Sequence, residues 1–144
     1  MFEDMIAVEE LADLDPAGVL GRVEAARAAV AEAEFEELAL AVHWVDLHAP
    51  ADEAEAKAAN AELRRRRPGR ERFVESGAAG TPLVREFAVA EFAAVAGRSP
   101  LGGRRLVADA VNLRYRHPCL WQALADGQGR VWQARQVVGM CLRA

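Results

Sequence analysis

Cysteine is scarce in this chain. Two residues, Cys119 and Cys141, cannot build a disulfide framework, and they are expected to be buried free thiols on helix faces. Aromatic residues reach only 6% and runs of β-branched residues are nearly missing, which excludes a sheet with a thick core and favours closely packed helices. No apolar run approaches the roughly 18 residues that span a membrane, so no membrane partner is expected. The N-terminus, MFEDMIAVEE, is acidic where a secretory signal has a basic start, and a reduced cytoplasmic location is the expectation. There is also no phosphate-binding glycine loop, no Ser-His-Asp arrangement and no His-rich metal-nuclease motif. No catalytic residue, metal site or cofactor is therefore expected, and the chain is not expected to be an enzyme by itself.

What is present is alanine, charge and enough apolar residues, 52% of 144, for one domain with a real core. A single all-α domain is expected over residues 1–144. Within it, residues 1–50 form an acidic long-helix region, 51–80 a polar, Arg-rich linker, and 81–144 a cluster of short helices with a helix-turn-helix-like core. The formal charge of −4 conceals a division. Residues 1–62 carry 16 acids against 3 bases, whereas residues 63–144 carry 6 acids against 15 bases, for net charges of −13 and +9. A basic half of this kind can meet a polyanion or can meet the acidic half of its own chain.

The segment DPAGVLGRVEAARAAVAEAEFEELALAVHWVDLHAP reads as one helix opened by Asp15 and Pro16 and closed at Pro50, on the order of 45–50 Å long. Its first half has one apolar stripe: Val19, Val23, Ala26, Val30 and Ala33. Its second half is apolar on two sides, with Phe35, Leu38, Val42 and Val45 roughly opposite Leu40, Trp44 and Leu47, and should be the more buried part. ADEAEAKAANAE, residues 51–62, has no large apolar side chain with which to anchor itself, and GAAGTP marks a loop between Phe73 and Val84. Four short helices are expected beyond it, within VAEFAAVAG, PLGGRRLVADAVNLRYR, PCLWQALADG and RVWQARQVVGMCLR.

The stretch EFAAVAGRSPLGGRRLVADA has the spacing of a helix-turn-helix. Phe92, Ala93, Ala96 and Leu106 suit the contact between two helices, and Gly97 suits the turn. Arg98 and Gly103 depart from that pattern, and Gly102 with Gly103 should weaken the second helix by about 1 kcal/mol each relative to alanine. On a helical wheel Leu106, Val107, Ala110, Val111 and Leu113 fall on one side, with Arg105, Asp109, Asn112 and Arg116 on the other. Arg104, Arg105, Asn112 and Arg116 are the candidates for contact with double-stranded DNA, because arginine pairs with guanine and asparagine with adenine in the major groove. The alternative is that these arginines pair with the acidic long helix. Arg64, Arg65, Arg66 and Arg67 are likewise either phosphate contacts or a solvated surface. His43, Asp46 and His48 do not have metal-ligand geometry, since the two histidines lie some 140° apart on a helix. Trp44, Trp121 and Trp132 are most simply core or inter-helix side chains.

The segments ARAAVAEAEFEELALAVHWVDLHAP, GAAGTPLVREFAVAEFAAVAGRSPLGGRRLVADAVNLRYRHPCLW and DGQGRVWQAR together resemble the domain-of-unknown-function 222 family of actinobacteria, which commonly precedes an HNH endonuclease domain. The resemblance covers the chain from about Val19 to Val138. It implies a helical module attached to, and targeting, a metal-dependent DNA nuclease, and it assigns no catalytic residue here. Relatives would continue past the Trp-x-Ala-Arg helix where this sequence ends at MCLRA, so a fragment, a truncated remnant or one piece of a split protein is expected. Two functions follow as expectations: a DNA-binding or targeting module of an HNH-associated protein, and a protein-interaction or oligomerisation module. The partners are accordingly DNA, a second copy of the chain, or a separate HNH domain.

Overall fold

The structure, a computed structural model, describes residues 8–64 and 71–143. It is mostly helical: α1 (Val8–Leu11), α2 (Pro16–Leu47), α3 (Glu53–Arg64), α4 (Glu86–Val95), α5 (Pro100–Arg116), α6 (Pro118–Ala125) and α7 (Val131–Cys141). The addition to the expected all-α plan is a two-stranded antiparallel hairpin, β1 (Phe73–Glu75) with β2 (Leu83–Arg85), in which Val74 pairs with Val84. Three-residue strands are too short to carry an alternating pattern, and the segment therefore looks like a plain loop in the sequence.

The long helix forms where its caps place it. The Asp15 carboxylate accepts the Gly18 N–H at 2.7 Å, and Pro16 fills the first helical position, where no amide hydrogen is needed. The second half of α2 enters the core with Leu38, Ala41, Val42 and Val45 buried. Trp44 adds a long-range tie by donating its indole N–H to the Ala88 carbonyl at 2.8 Å. Apolar Val19, Val23 and Val30 in the first half stay 45 to 50% exposed.

The centre of the molecule is α5. Its buried face, Gly103, Leu106, Val107, Ala110, Val111 and Leu113, packs against α2, α4, α6 and α7. Each fully buried aliphatic side chain in such a core stabilises the fold by about 1.5–3 kcal/mol. The turn before α5 ends α4 in a Schellman arrangement: the Gly97 N–H reaches the Ala94 carbonyl, the Arg98 N–H reaches that of Ala93, and Gly97 takes φ +66°. Ser99 then caps α5 by accepting the Gly102 N–H at 3.0 Å.

Gly103 has a reason for being glycine. A Cβ built there would stand 2.1 Å from the Ala93 Cβ, so α4 and α5 approach more closely than any side chain permits. The expected local cost of Gly103 in helix propensity is offset by that contact. The polar segment 51–62 is also less detached than its composition suggests. Ala56 is buried, and the Asn60 side chain both donates to the Phe73 carbonyl and accepts from the Phe73 N–H, pairing with β1 as an extra strand would. An amide side chain here provides the anchor that apolar side chains do not.

Candidate functional site

Of the four α5 residues expected to meet DNA, three are exposed and one is buried. Arg104, Arg105 and Arg116 are exposed on α5 and belong to no ion pair among the described residues. Asn112, expected beside them, is instead 2% exposed. Its carboxamide oxygen accepts the Ala78 N–H at 2.9 Å, because the loop after β1 folds over this side of α5 and Gly77 lies against it. The helical wheel places Asn112 outward correctly for an isolated helix; a distant loop covers it. Asp109, on the same expected face, is bound by Arg135 of α7 at 2.6 Å. The middle of the α5 outer face, at Asp109 and Asn112, is thus occupied by the protein itself. Arg65, Arg66 and Arg67 lie outside the described residues, as does the Arg64 side chain at the end of α3.

The arginines that pair with the acidic long helix are others than Arg104, Arg105 and Arg116. Arg98 meets Glu37 at 2.9 Å and Arg130 meets Glu34 at 3.0 Å, so the opposed charges of the two halves join α2 to the helical cluster at two points. Both pairs are partly exposed and worth little individually, about 0–1 kcal/mol. Near the other end, the Tyr115 hydroxyl donates to the Asp46 carboxylate. Burial, followed by the hydrogen bond and negative charge of Asp46, pushes the Tyr115 hydroxyl up to about 12 against the opposing effect of Arg114.

Other sequence expectations need correction. Cys119 and Cys141 are both exposed rather than buried, since each sits on the outer side of a short helix that turns Leu124 (α6) or Val131, Ala134 and Val138 (α7) inward. Trp132 is 52% exposed and contributes little to the core, whereas Trp121 packs on Phe35 at 5.0 Å between ring centroids. His48 donates its Nδ1–H to the Trp44 carbonyl, 2.8 Å away, and its ring lies against the Trp44 indole. No group of three or more His, Cys, Asp or Glu side chains is gathered for a metal among the described residues. No helix among them is long and apolar enough to cross a membrane.

The surface with the clearest chemical character lies between α2 and α4. Leu40, Trp44 and Leu47 form one wall and Phe92 and Val95 the other, enclosing an open groove of about 260 Å³ whose lining is almost wholly apolar. Leu47 is 63% exposed and Val95 87%. This groove was half legible: the outer apolar side of α2 stands out in the sequence, but the α4 wall depends on the way α4 folds back beside it. A second cleft, between the hairpin loop, α4 and α5, is lined by both signs of charge. There Arg72 and Glu86 already neutralise each other at 3.0 Å.

No family model, curated protein or solved structure matches the chain. The likeness to the domain-of-unknown-function 222 family rests on the quoted motifs alone.

Proposed function

We propose that this chain is a helical protein-interaction module whose contact surface is the apolar groove between α2 and α4. One observation carries the proposal: Leu40, Leu47 and Val95 are large apolar side chains left in water around a concave surface with almost no polar lining. Groups of exposed apolar residues of this kind mark association sites, whereas scattered ones need no explanation. At about 260 Å³ the groove is smaller than the roughly 300–1,000 Å³ of small-molecule sites. It suits the inserted side chains of a helix, which is the helix-in-groove mode of recognition.

An anilinonaphthalene sulfonate dye added to the dilute chain tests this. Burying Leu47 and Val95 is worth about 1.5–3 kcal/mol each, so Leu47→Lys with Val95→Lys should weaken dye binding by at least about tenfold at unchanged helical circular dichroism. Equal binding to both proteins, or none to either, rejects the proposal.

A second reading, contact with double-stranded DNA, is favoured by Arg104, Arg105 and Arg116, which are exposed and in no ion pair among the described residues. Three phosphate contacts imply about a 40-fold loss of affinity between about 50 and 200 mM salt. A duplex titration without that slope removes this reading and, with it, the targeting role implied by an HNH nuclease partner.

A further inference from the structure

We infer that the groove's occupant is the α2 helix of a second copy of this chain, laid antiparallel along the first. The inference rests on the groove reading and deepens it by naming the partner. The apolar stripe of the first half of α2 does not stop where the core begins. Counted from Val19 to Leu47, its positions follow one another at alternating steps of four and three residues, through Glu37 and on to Leu40, Trp44 and Leu47. That is the seam of a two-stranded coiled coil, with a period of about 3.5 residues. The seam faces water: Val19, Val23, Val30, Leu40 and Leu47 are 45 to 63% exposed.

Charge selects the direction. A parallel pair in register would set Glu37 against Glu37 of the other copy within the seam and Arg22 beside the other Arg27. In the antiparallel pair that aligns the seam from Val19 to Trp44, Val23 faces Leu40, Val19 faces Trp44, Glu37 faces the small Ala26, and Leu47 falls opposite Pro16. Arg27 of each copy then lies beside Glu34 of the other, giving two symmetric opposite-charge contacts at the flanking positions, each sharing a Glu34 that Arg130 of its own chain already holds at 3.0 Å. The one charged seam residue, Glu37, is already paired with Arg98 of its own chain at 2.9 Å.

Antiparallel pairing also matches the two halves of the helix. The half of α2 that its own chain leaves uncovered would lie in the groove that the other copy leaves open, and the relation is reciprocal, as two-fold symmetry requires. A strip about 48 Å long and about 10 Å wide buries on the order of 1,000 Å² over both copies, where specific interfaces begin. That size fits a dimer formed at micromolar concentration.

Sedimentation of the full chain at tens of micromolar should give a dimer. Val30→Lys, at a 50% exposed seam position that tolerates lysine in a helix, should raise the dissociation constant at least about tenfold without lowering the helical signal. Direction is read by cross-linking in a Cys119→Ser, Cys141→Ser background. Mixed Val23→Cys and Leu40→Cys chains should form a disulfide with each other, while a parallel pair would link like chains. A dimer that Val30→Lys leaves intact, or linkage of like chains only, overturns the inference. A monomeric wild type that still binds the dye through Leu47 and Val95 overturns self-pairing and leaves the groove reading standing; a monomer that ignores the dye overturns both.

Discussion

The two halves of α2 belong to one uninterrupted helix, carry a similar apolar content, and have opposite fates. Residues 16–30 are exposed at nearly every position, while residues 38–45 include four side chains at the floor of the core. Length accounts for the difference. At 1.5 Å per residue α2 runs about 48 Å, whereas α5, the longest helix of the cluster, runs about 26 Å. The cluster covers what it can reach. An apolar stripe therefore states that a helix has something to bury, but not that its own chain will bury it.

The sharpest way to break this comparison is to remove matched leucines from the two halves. Leu38→Ala empties a fully buried site and should cost about 2–5 kcal/mol in a urea melt. Next in size is Gly103→Ala, which forces α4 and α5 apart at Ala93 and should cost about 1–3 kcal/mol by the same measurement. If Gly103→Ala were neutral, the cluster that covers the second half would be held less tightly than its geometry states.

Asp15→Ala acts on the other half. Loss of the cap should cost about 1 kcal/mol, with faster amide hydrogen exchange confined to the first turns of α2 and the Leu38 region unaffected. Leu20→Ala, at a position 67% exposed in the single chain, should stay within about 0.5 kcal/mol of wild type when the melt is run on the dilute monomer, and a larger loss there would mean that the chain's own cluster covers the first half.

The smallest effect at neutral pH concerns Tyr115, the single tyrosine, whose ultraviolet titration should be centred near 12 rather than the ordinary 10.0. The folded chain holds this proton to higher pH than the unfolded chain does. The contact with Asp46 therefore stabilises fully below pH 10.0 and is lost as pH rises towards about 12. Asp46→Asn should move the titration midpoint back down.

Much of the fold was legible because its signals are local. Asp15 and Pro16 mark the start of α2, Gly97 marks the end of α4, and Ser99 with Pro100 marks the start of α5, each through backbone groups a few residues away. The buried face of α5 from Leu106 to Leu113 was legible for the same reason, since helical periodicity is a property of one segment. The candidate site was less so. The outward position of Asn112 holds for an isolated helix, and the loop that covers it comes from a hairpin more than 30 residues earlier. The hairpin itself lacked strand periodicity, and its support, Asn60, lies in a segment whose composition suggests no anchor at all.

By itself, then, the sequence determined where α2 and α5 begin, where α4 ends and which face of α5 is apolar, because capping and periodicity act over a few residues; α3 arose in a segment expected to be a linker. Only the tertiary structure decided which apolar faces are covered. Gly103 is a contact and not a weakness, Asn112 is a buried acceptor and not an exposed one, and the outer face of α2 joins α4 as an open groove. Each of these depends on a segment distant in the chain arriving within contact distance, which no local pattern encodes.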